Sequence, residues 1–373
     1  MKDYFLADDL SGALDAAAAF HQAGRRVRVV LAATAWTAPD EGEVVGVTTE
    51  TRNASPAVAA AVVDAALARG VALGARLVYK KIDSTLRGPV AAELAALARR
   101  MPEARLLFTP ANPGVGRTVE GGVLRVHGVP VSETEFARDP VSPVRESNVR
   151  RLLGDAGGAH LVIADALSAA DLATAVARMV AAGGAWVAVG SGALARPVAA
   201  LGATEARGPI SVDTTRLPAG PILMLCGSAH AGNRAPAARL ARERGVPVHE
   251  FSLTNPAAVV TATVASVRAR GGASLIVEET RRDSAALLRA LAAAAQEIVA
   301  ATGTARLFIT GGETAFALCG ALGISALEFC AELESGLSLA RAVTNRGPLH
   351  LAIKPGGFGT AETWVRAWDR LRE

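Results

Sequence analysis

The sequence predicts an α/β protein of two domains, each with a largely parallel β-sheet flanked by helices. Short apolar runs of strand type recur along the 373 residues and alternate with alanine-rich stretches of helical pattern. That alternation builds βαβ units and parallel sheets. The chain is also too long for one ordinary hydrophobic core. Residues 207–221, rich in Gly and Pro, interrupt the pattern. We therefore predict domains over residues 1–210 and 211–373, with the functional site in the cleft between them.

The predicted strands are short apolar runs at regular intervals. In the first domain they cover residues 4–7, 27–31, 44–48, 77–82, 105–109, 161–164 and 186–189, and in the second 222–225, 246–251, 275–278, 307–310 and 350–353. Helices are expected between them. The last helix is predicted to begin behind an N-cap at Thr360. Its apolar residues share one face at helical spacing, and they are Trp364, Val365, Trp368 and Leu371.

The composition excludes several classes of protein. The net charge is only +4 with 20% charged residues, and no basic stripe is interleaved with aromatics, so nucleic acid is not an expected partner. A small anionic substrate accounts for the basic excess. Cys226, Cys319 and Cys330 lack the spacing of a zinc site or a disulfide framework, which predicts a reducing cytoplasm and no metal site. We predict no signal peptide and no membrane span, and a homodimer is the default expectation.

Paired carboxylates follow the first predicted strand. Asp8 and Asp9 open the string Asp-Asp-Leu-Ser-Gly-Ala, which also contains Ser11. Adjacent carboxylates at a strand end suit a general base, a metal ligand or an acceptor for substrate hydroxyls. The alternative is that one of them only caps the helix predicted over residues 10–20. A cap needs one carboxylate, so the pair favours a site.

A dense group of polar residues follows the fourth predicted strand. Residues 80–88 read Lys-Lys-Ile-Asp-Ser-Thr-Leu-Arg-Gly, and the candidates for a site among them are Lys81, Asp83, Ser84, Thr85 and Arg87. Arginine suits a bidentate grip on a carboxylate, and lysine acts as a point charge on a phosphate. A solvated surface loop is the alternative. Strand residues alternate faces, however, so one of the adjacent lysines must point toward packing or a site.

The stretch after the fifth predicted strand differs from the rest of the chain. Residues 110–149 are rich in Pro, Gly, Thr and Glu and show no clear period, which predicts a long functional loop. Asn112 and Arg117 lie at its start and supply a turn and another cation. In open α/β sheets, ligands bind beyond the carboxyl ends of the strands. The polar motifs of the first domain all lie at such ends.

Two glycine clusters mark the second domain. Each stands where an apolar run gives way to a helical pattern, and together they contain Gly311, Gly312, Glu313 and Thr314, then Gly356, Gly357, Phe358 and Gly359. A similar turn after the strand at 222–225 contains Ser228. Unpaired N–H groups at a helix start, with the helix dipole, form an anion cradle. The alternative is a plain tight turn. The chain has no Walker A loop and no complete Gly-x-Gly-x-x-Gly fingerprint.

These candidates favour phosphoryl transfer. A small hydroxylated acid would be held at the strand ends of the first domain and a polyphosphate by the glycine clusters of the second, which is the division that this reaction needs. Two alternatives stay open. One is an NAD-dependent dehydrogenase of a sugar acid, which needs a pyrophosphate fingerprint. The other is a two-domain sugar-acid binding protein without catalysis.

The ordered motifs are similar to those of a known family. The strings at residues 8–13, 81–88, 311–314 and 354–359 occur in the order seen in the four-carbon acid sugar kinases, and the chain resembles that family over almost its whole length. The resemblance implies an N-terminal substrate domain and a C-terminal nucleotide domain. It also implies phosphorylation of the terminal hydroxyl of D-threonate, D-erythronate or 3-oxo-tetronate, with ATP and Mg²⁺.

Site residues follow from the resemblance. It implies substrate contacts from Asp8, Asp9, Asp83, Ser84 and Arg87, and ATP contacts from Ser228 and from residues 311–314 and 356–359. Asp8 or Asp9 would accept the proton of the attacking hydroxyl, and Arg87 would hold the substrate carboxylate. Ser11 stands where the family has Thr, and Pro-Val-Ala at residues 89–91 replaces Asn-Ile-Gly. The chain is also shorter than typical members around residues 154–185, which leaves the choice of acid open.

Overall fold

The chain folds into two compact units, Met1–Ile210 and Ser211–Glu373. The structure is a computed structural model that describes residues 2–202, 217–227, 233–277, 284–345, 347–357 and 359–373. Each unit contains parallel strands with helices between them, so the α/β class predicted from the sequence is confirmed. We refer to the two as the N-terminal unit and the C-terminal unit.

The N-terminal unit is built on a seven-stranded parallel sheet. The strands of the unit, of which β6, β7 and β8 lie outside this parallel sheet, are β1 (Asp3–Ala7), β2 (Arg26–Val30), β3 (Glu43–Thr48), β4 (Arg76–Lys81), β5 (Arg105–Thr109), β6 (Arg117–Glu120), β7 (Val123–Val126), β8 (Val129–Pro130), β9 (Leu161–Ile163) and β10 (Trp186–Gly190). Its helices are α1 (Leu10–Gln22), α2 (Pro56–Ala72), α3 (Val90–Arg100), α4 (Val149–Leu153), α5 (Ala169–Ala181) and α6 (Gly192–Ala200). The parallel strands lie in the order β2-β3-β1-β4-β10-β5-β9.

Strand β1 is the topological switch point of this sheet, where the chain reverses the direction in which it adds strands. All five of its residues are buried, and it pairs with β3 on one side and β4 on the other. The chain first builds β2 and β3 on one side of β1 and then crosses to β4 on the other. A crevice forms beyond the carboxyl ends of the strands at such a switch point. The residues that follow β1 and β4 therefore face a common space.

Residues 110–149 are not the structureless loop that the sequence predicted. They contain β6, β7 and β8, which form a separate antiparallel sheet, with Val119 and Leu124 fully buried. The turn between β6 and β7 is Gly121–Gly122, and both glycines have positive φ, 56° and 72°. A Gly-Gly pair between two short strands is a hairpin signal. The prediction failed because strands of two to four residues are too short to show a period.

The C-terminal unit has a mixed sheet. Its strands are β11 (Ile222–Cys226), β12 (Val248–Phe251), β13 (Gly272–Val277), β14 (Arg306–Thr310), β15 (Ala326–Glu334), β16 (Leu337–Thr344) and β17 (Gly347–Lys354). Its helices are α7 (Arg234–Arg244), α8 (Pro256–Arg270), α9 (Ser284–Thr302), α10 (Gly312–Ala321) and α11 (Thr363–Arg372). The strand order is β12-β13-β11-β14-β17-β16-β15, in which the first five strands are parallel to one another and β16 runs antiparallel to both of its neighbours, β17 and β15.

The switch point of this second sheet lies between β11 and β14. The chain builds β12 and β13 on one side of β11 and then crosses to β14. The sequence did not predict β15 and β16, which turn through Ser335–Gly336, where Gly336 has a φ of 78°. Two bulges interrupt the pairing of β15 with β16. A bulge shifts the alternation of side chains by one residue, which hides the period of a strand.

Two helices of this unit bear on the predictions. Helix α11 begins at Thr363, three residues after the predicted cap, and Glu362 at the cap position makes no side-chain bond to the helix. Its predicted apolar face is buried as expected.

Within the described residues, the stretch Ala285–Thr302 of α9 is long and apolar enough for a membrane span, with a mean hydropathy of 1.3. Leu291 and Ile298 of that stretch are buried while Glu297 is exposed, which is the pattern of an amphipathic helix with one face toward the protein core.

Candidate active site

An arginine outside the predicted motifs, Arg52, joins the paired carboxylates. Its Nε and Nη2 donate to Asp8 at 2.8 and 2.9 Å, and its Nη1 and Nη2 donate to Asp9 at 2.6 and 2.8 Å. The backbone N–H groups of Thr51 and Arg52 donate to the Asp8 carbonyl at 3.0 and 3.2 Å. These bonds hold the segment after β3 against the end of β1. One guanidinium therefore bridges both aspartates and offsets one of their two negative charges.

Asp9 also caps helix α1. Its Oδ1 accepts from the N–H of Gly12 at 2.7 Å, and the Ser11 hydroxyl donates to its Oδ2 at 2.6 Å. With the two bonds from Arg52, Asp9 accepts four hydrogen bonds, which is the capacity of a carboxylate. Asp8 accepts two side-chain bonds, both from Arg52. Capping and charge pairing thus coexist in Asp9, and Asp8 has lone pairs left for a further donor.

Cations set the ionisation of these buried carboxylates. Burial alone would raise the pKa of Asp8, but Arg52, Lys80 and Lys81 outweigh it and the pKa is lowered. Burial would likewise raise the pKa of Asp83, yet Arg87 and Arg52 hold it well below its usual range. Both carboxylates are therefore ionised at neutral pH.

The string from Asp83 to Gly88 forms a tight turn beyond β4. Asp83 accepts from the backbone N–H groups of Thr85 and Arg87 at 3.1 and 3.3 Å, and the Thr85 hydroxyl also donates to it. The Arg87 guanidinium donates to both Asp83 oxygens at 3.0 and 2.9 Å. Gly88 has a φ of 90°, and a Cβ there would lie 2.7 Å from the carbonyl oxygen of Arg52. The turn therefore packs directly against the Arg52 segment.

Both lysines of β4 point into the protein. Lys80 pairs with Glu93 at 2.6 Å, and both side chains are 2% exposed. Lys81 lies 3.7 Å from Asp15, and its Nζ is 3.1 Å from where a Cβ on Gly12 would stand. The sequence predicted that one of the two lysines points inward, and in the structure both do. Each lysine meets a carboxylate from a helix that packs on the sheet, Glu93 of α3 or Asp15 of α1. Lys81 lies beside the start of α1, next to the aspartate pair.

The excursion between β5 and β9 brings an aromatic ring to the cluster. The guanidinium carbons of Arg87 and Arg117 lie 5.5 and 5.7 Å from the ring centre of Phe136. Arg117 also donates to the Ser84 hydroxyl at 2.7 Å. Asn112 takes part through its backbone, whose N–H donates to the Arg117 carbonyl at 2.7 Å. Phe136 holds two arginines by cation–π contacts, and no sequence motif pointed to it.

Glu50 is a second residue that the sequence did not indicate. Its backbone has a φ of 51°, which a residue with a side chain seldom adopts. Its Oε1 accepts a hydrogen bond from the Thr48 hydroxyl. Burial raises the pKa of Glu50 to about 8, and the negative charge of Asp9 adds to the effect. Glu50 is thus a carboxyl group of this cluster that titrates near neutral pH.

The raised pKa of Glu50 predicts a pH-dependent cost to stability. The folded state retains the proton up to about pH 8, whereas the unfolded chain releases it near its ordinary value. Stability therefore falls as pH rises between these two values. Glu50→Gln is expected to be more stable than the wild type by on the order of 3 kcal/mol at pH 9, with the difference vanishing near pH 4.

Denaturant unfolding of both proteins at a series of pH values measures this difference. Glu41→Gln, which alters an exposed carboxylate of the same unit, is the control and should follow the wild type throughout. A gain for Glu50→Gln that does not change with pH would contradict the prediction.

The C-terminal unit places its first glycine cluster at the switch point. Gly311 has a φ of 105° and caps α10 without a side-chain bond, so first-turn N–H groups of the helix remain to be satisfied. A Cβ on Gly227, which follows β11, would collide with the side chain of Thr314. The hydroxyl of Thr310 is fully buried and has no partner in the described part of the chain. These features suit an anionic group at the start of α10.

The second glycine cluster folds over a buried lysine. Lys354 ends β17, and its Nζ donates to the carbonyls of Pro355 and Gly356 at 3.0 and 3.3 Å. Its own carbonyl accepts from the N–H of Gly311 at 2.8 Å, which joins the two clusters. Burial lowers the pKa of Lys354 to about 8. Gly359 has a φ of 93°, and a Cβ there would lie 2.7 Å from the Thr363 hydroxyl.

Most of the predicted residues fall into two clusters. The cluster of the N-terminal unit contains Asp8, Asp9, Ser11, Lys81, Asp83, Ser84, Thr85, Arg87 and Arg117, with Asn112 at its edge. The cluster of the C-terminal unit contains Gly311, Gly312, Glu313, Thr314, Gly356, Gly357 and Gly359. Ser228 and Phe358 lie outside the described residues. The individual roles stay predictions.

Comparison with known families assigns a description to each half of the chain. Residues 4–159 match a family described as a sugar-binding N-terminal domain. Residues 223–364 match a family described as a nucleotide-binding C-terminal domain. Each match falls within one of the two units and includes one of the two clusters.

Full-length relatives agree with these matches. The chain is 34% identical over 404 residues to a D-threonate kinase of Bordetella bronchiseptica, covering 99% of this chain and 97% of that protein. It is 28% identical to a 3-oxo-tetronate kinase of Methylobacterium radiotolerans, covering 98% of each. A crystal structure from Salmonella typhimurium shares the fold, with a TM-score of 0.80 at 21% identity and 98% coverage of both chains. The chain therefore belongs to the four-carbon acid sugar kinase family.

Proposed function

We propose that this protein is an ATP-dependent kinase that phosphorylates the terminal hydroxyl of a four-carbon sugar acid. The supporting observation is that each unit carries a polar cluster at its switch point, one of carboxylates and arginines and one of glycine turns around a lysine. The hydroxyl oxygen forms a bond to the γ-phosphorus, the bond from that phosphorus to the β,γ-bridging oxygen breaks, and ADP leaves. The relatives named as kinases support this reading over the dehydrogenase and the non-catalytic binding protein.

The N-terminal unit would bind the acid. Arg87 and Arg117 offer guanidinium groups to its carboxylate, and Asp83 and Phe136 fix their positions. Asp8 would accept the hydrogen bond of the attacking hydroxyl. Its carboxylate accepts two side-chain hydrogen bonds and has lone pairs left, whereas the carboxylate of Asp9 already accepts four. Its lowered pKa makes it a weak base, so its main role would be to orient the hydroxyl, and it would accept the hydroxyl proton only late in the transfer.

The C-terminal unit would bind ATP. The N–H groups at the start of α10, the Thr310 hydroxyl and Lys354 form a donor set that suits phosphate oxygens. Bound Mg²⁺ would neutralise the phosphates during transfer. No group of three or more His, Cys, Asp or Glu residues suited to a metal occurs in the described residues. Mg²⁺ with nucleotides is usually held by the phosphates together with one or two carboxylates, and we expect the same here.

We also propose a cytoplasmic location. Cys226, Cys319 and Cys330 are all buried thiols outside any disulfide, which suits a reducing compartment. The homodimer expected by default stays a prediction.

A substrate panel tests the proposed function. ADP release is measured with Mg-ATP and each of D-threonate, L-threonate, D-erythronate, L-erythronate and 3-oxo-tetronate. We expect strong turnover on at least one acid and only slow ATP hydrolysis without any. Absence of turnover on the whole panel, with ATP nonetheless bound, would overturn the acceptor class. Absence of ATP binding would overturn the kinase.

Replacing Lys354 tests the nucleotide site. Lys354→Met removes the buried cation beside the glycine turns, so the dissociation constant of ATP is expected to rise by about 10–100-fold, the equivalent of one charged hydrogen bond. Bound phosphates should also raise the pKa of Lys354 from about 8. Wild-type binding at pH 8 should therefore take up a fraction of a proton, which calorimetry in buffers of different ionisation enthalpy measures.

The control for this variant is Lys2→Met, which removes an exposed lysine. It should leave the ATP dissociation constant and the proton uptake unchanged. Unaltered ATP affinity in Lys354→Met would remove Lys354 from the nucleotide site.

A further inference from the structure

We propose that Glu50 accepts the hydrogen bond of the C3 hydroxyl of the acid and thereby selects hydroxy acids over 3-oxo acids. The inference rests on the proposed function and concerns the substrate class of the same site. The relatives include D-threonate kinases and 3-oxo-tetronate kinases. D-threonate and 3-oxo-tetronate differ in whether the third carbon carries a hydroxyl or a carbonyl. A residue that hydrogen-bonds the oxygen on the third carbon would therefore determine which of the two acids binds more tightly.

The other carboxylates of the cluster already have strong partners. Asp9 accepts four hydrogen bonds, two of them from Arg52. Asp83 is held by its own turn and by the Arg87 guanidinium. Asp8 receives a bidentate pair from Arg52. Glu50 accepts from the neutral Thr48 hydroxyl instead. It is therefore the carboxyl group of this set with most capacity for a hydroxyl donor.

The backbone around Glu50 is fixed on both sides. The N–H and the hydroxyl of Thr49 donate to the Ala7 carbonyl at 2.8 and 3.0 Å. On the other side, the N–H groups of Thr51 and Arg52 donate to the Asp8 carbonyl. Between these anchors, Glu50 keeps its left-handed φ of 51°. A residue held in such a conformation by its neighbours is typical of functional sites, where surrounding structure maintains the strain.

The surroundings of Glu50 give it a pH-dependent preference. Asp8 and Asp9 disfavour its charge, while Arg52 favours it, and with burial the net pKa is about 8. The ionised form only accepts hydrogen bonds, so it binds a hydroxyl and repels the lone pairs of a carbonyl. The protonated form can donate to a carbonyl. The preference for the hydroxy acid should therefore increase as pH rises from 7 to 9.

The experiment compares two acids in two proteins across pH. The dissociation constants of D-threonate and freshly prepared 3-oxo-tetronate are measured by calorimetry without nucleotide, for the wild type and for Glu50→Gln, at pH 7, 8 and 9. We expect the wild type to favour D-threonate by at least 10-fold more at pH 9 than at pH 7. Glu50→Gln, which both donates and accepts at every pH, should lose this dependence and most of the preference.

Glu41→Gln is the matched control and should keep the wild-type ratio at each pH. The same ratio and pH dependence in Glu50→Gln as in the wild type would overturn the inference. So would a wild type that binds the oxo acid as well as the hydroxy acid, or that binds neither. Acid binding is measured here without ATP, so this experiment is independent of phosphoryl transfer. A protein that failed to transfer phosphate would contradict the proposed kinase activity, and the ratio of the two dissociation constants would still decide the role of Glu50.

Discussion

Replacing Arg52 with methionine is expected to lower the free energy of unfolding of the N-terminal unit by about 3–5 kcal/mol at pH 7, the usual cost of leaving a buried charge without its partner. Asp8 and Asp9 are 2% and 7% exposed and share this guanidinium. Without it, two adjacent carboxylates would repel each other away from water. Hydrogen exchange of the amides of β1 and β4 reports the loss for this unit alone.

The pH dependence of this loss has a defined sign. Arg52 helps to hold the pKa values of Asp8 and Asp83 below their ordinary range. Its stabilisation is therefore present above about pH 4 and lost as pH falls through the lowered values. The difference between the wild type and Arg52→Met should shrink below pH 4.

Arg100→Met is the matched control for Arg52. Arg100 also makes a bidentate pair, with Asp64 at 2.7 Å for both bonds, but its side chain is 43% exposed. Solvent replaces such a partner, so the expected effect is small. Equal losses in the two variants would show that Arg52 is an ordinary surface ion pair.

Replacing Asp8 with asparagine should reduce kcat by about 10²–10⁴-fold, the range for groups that handle the proton of a reacting hydroxyl. Asparagine keeps the shape of the side chain but has one acceptor oxygen, which Arg52 would occupy. The dissociation constant of ATP should stay unchanged, because Asp8 belongs to the N-terminal unit. Steady-state kinetics with the preferred acid and ATP titration measure the two quantities.

Two variants separate Asp8 from its neighbours. Asp171→Asn alters another helix-capping aspartate of the same unit, half-buried in the first turn of α5, and should leave kcat unchanged. Asp9→Asn should affect stability more than Asp8→Asn does, because Asp9 has four bonds to lose. A loss of ATP affinity equal to the loss of kcat in Asp8→Asn would contradict the role assigned to Asp8.

The motifs that mark strand ends could be predicted from the sequence. Asp8, Asp83 and Gly311 follow apolar runs directly, and the rule that parallel sheets bind ligands at their carboxyl ends places them in a site. The same rule applies to Arg52, which stands four residues after β3. It was missed because only the pairing of β3 with β1 turns that position into a contact with Asp8.

Other features had no local signal. Glu50 has a left-handed backbone conformation, and a glutamate in a sequence gives no indication that its backbone is left-handed. Phe136 reaches two arginines through a short turn inside the excursion between β5 and β9. The hairpin of β15 and β16 is obscured by its bulges. In each case tertiary contacts determine the conformation, and a single sequence does not record which segments meet.

The small sheet of β6, β7 and β8 has a further consequence for how such enzymes diversify. The chain leaves the parallel sheet at the end of β5 and returns in β9, which pairs directly with β5. The excursion therefore begins and ends on neighbouring strands, and its length is not constrained by the parallel core. Phe136 lies within it and contacts Arg87 and Arg117. Insertions or deletions there can change the surroundings of these two arginines during evolution while the order of the parallel strands is inherited intact.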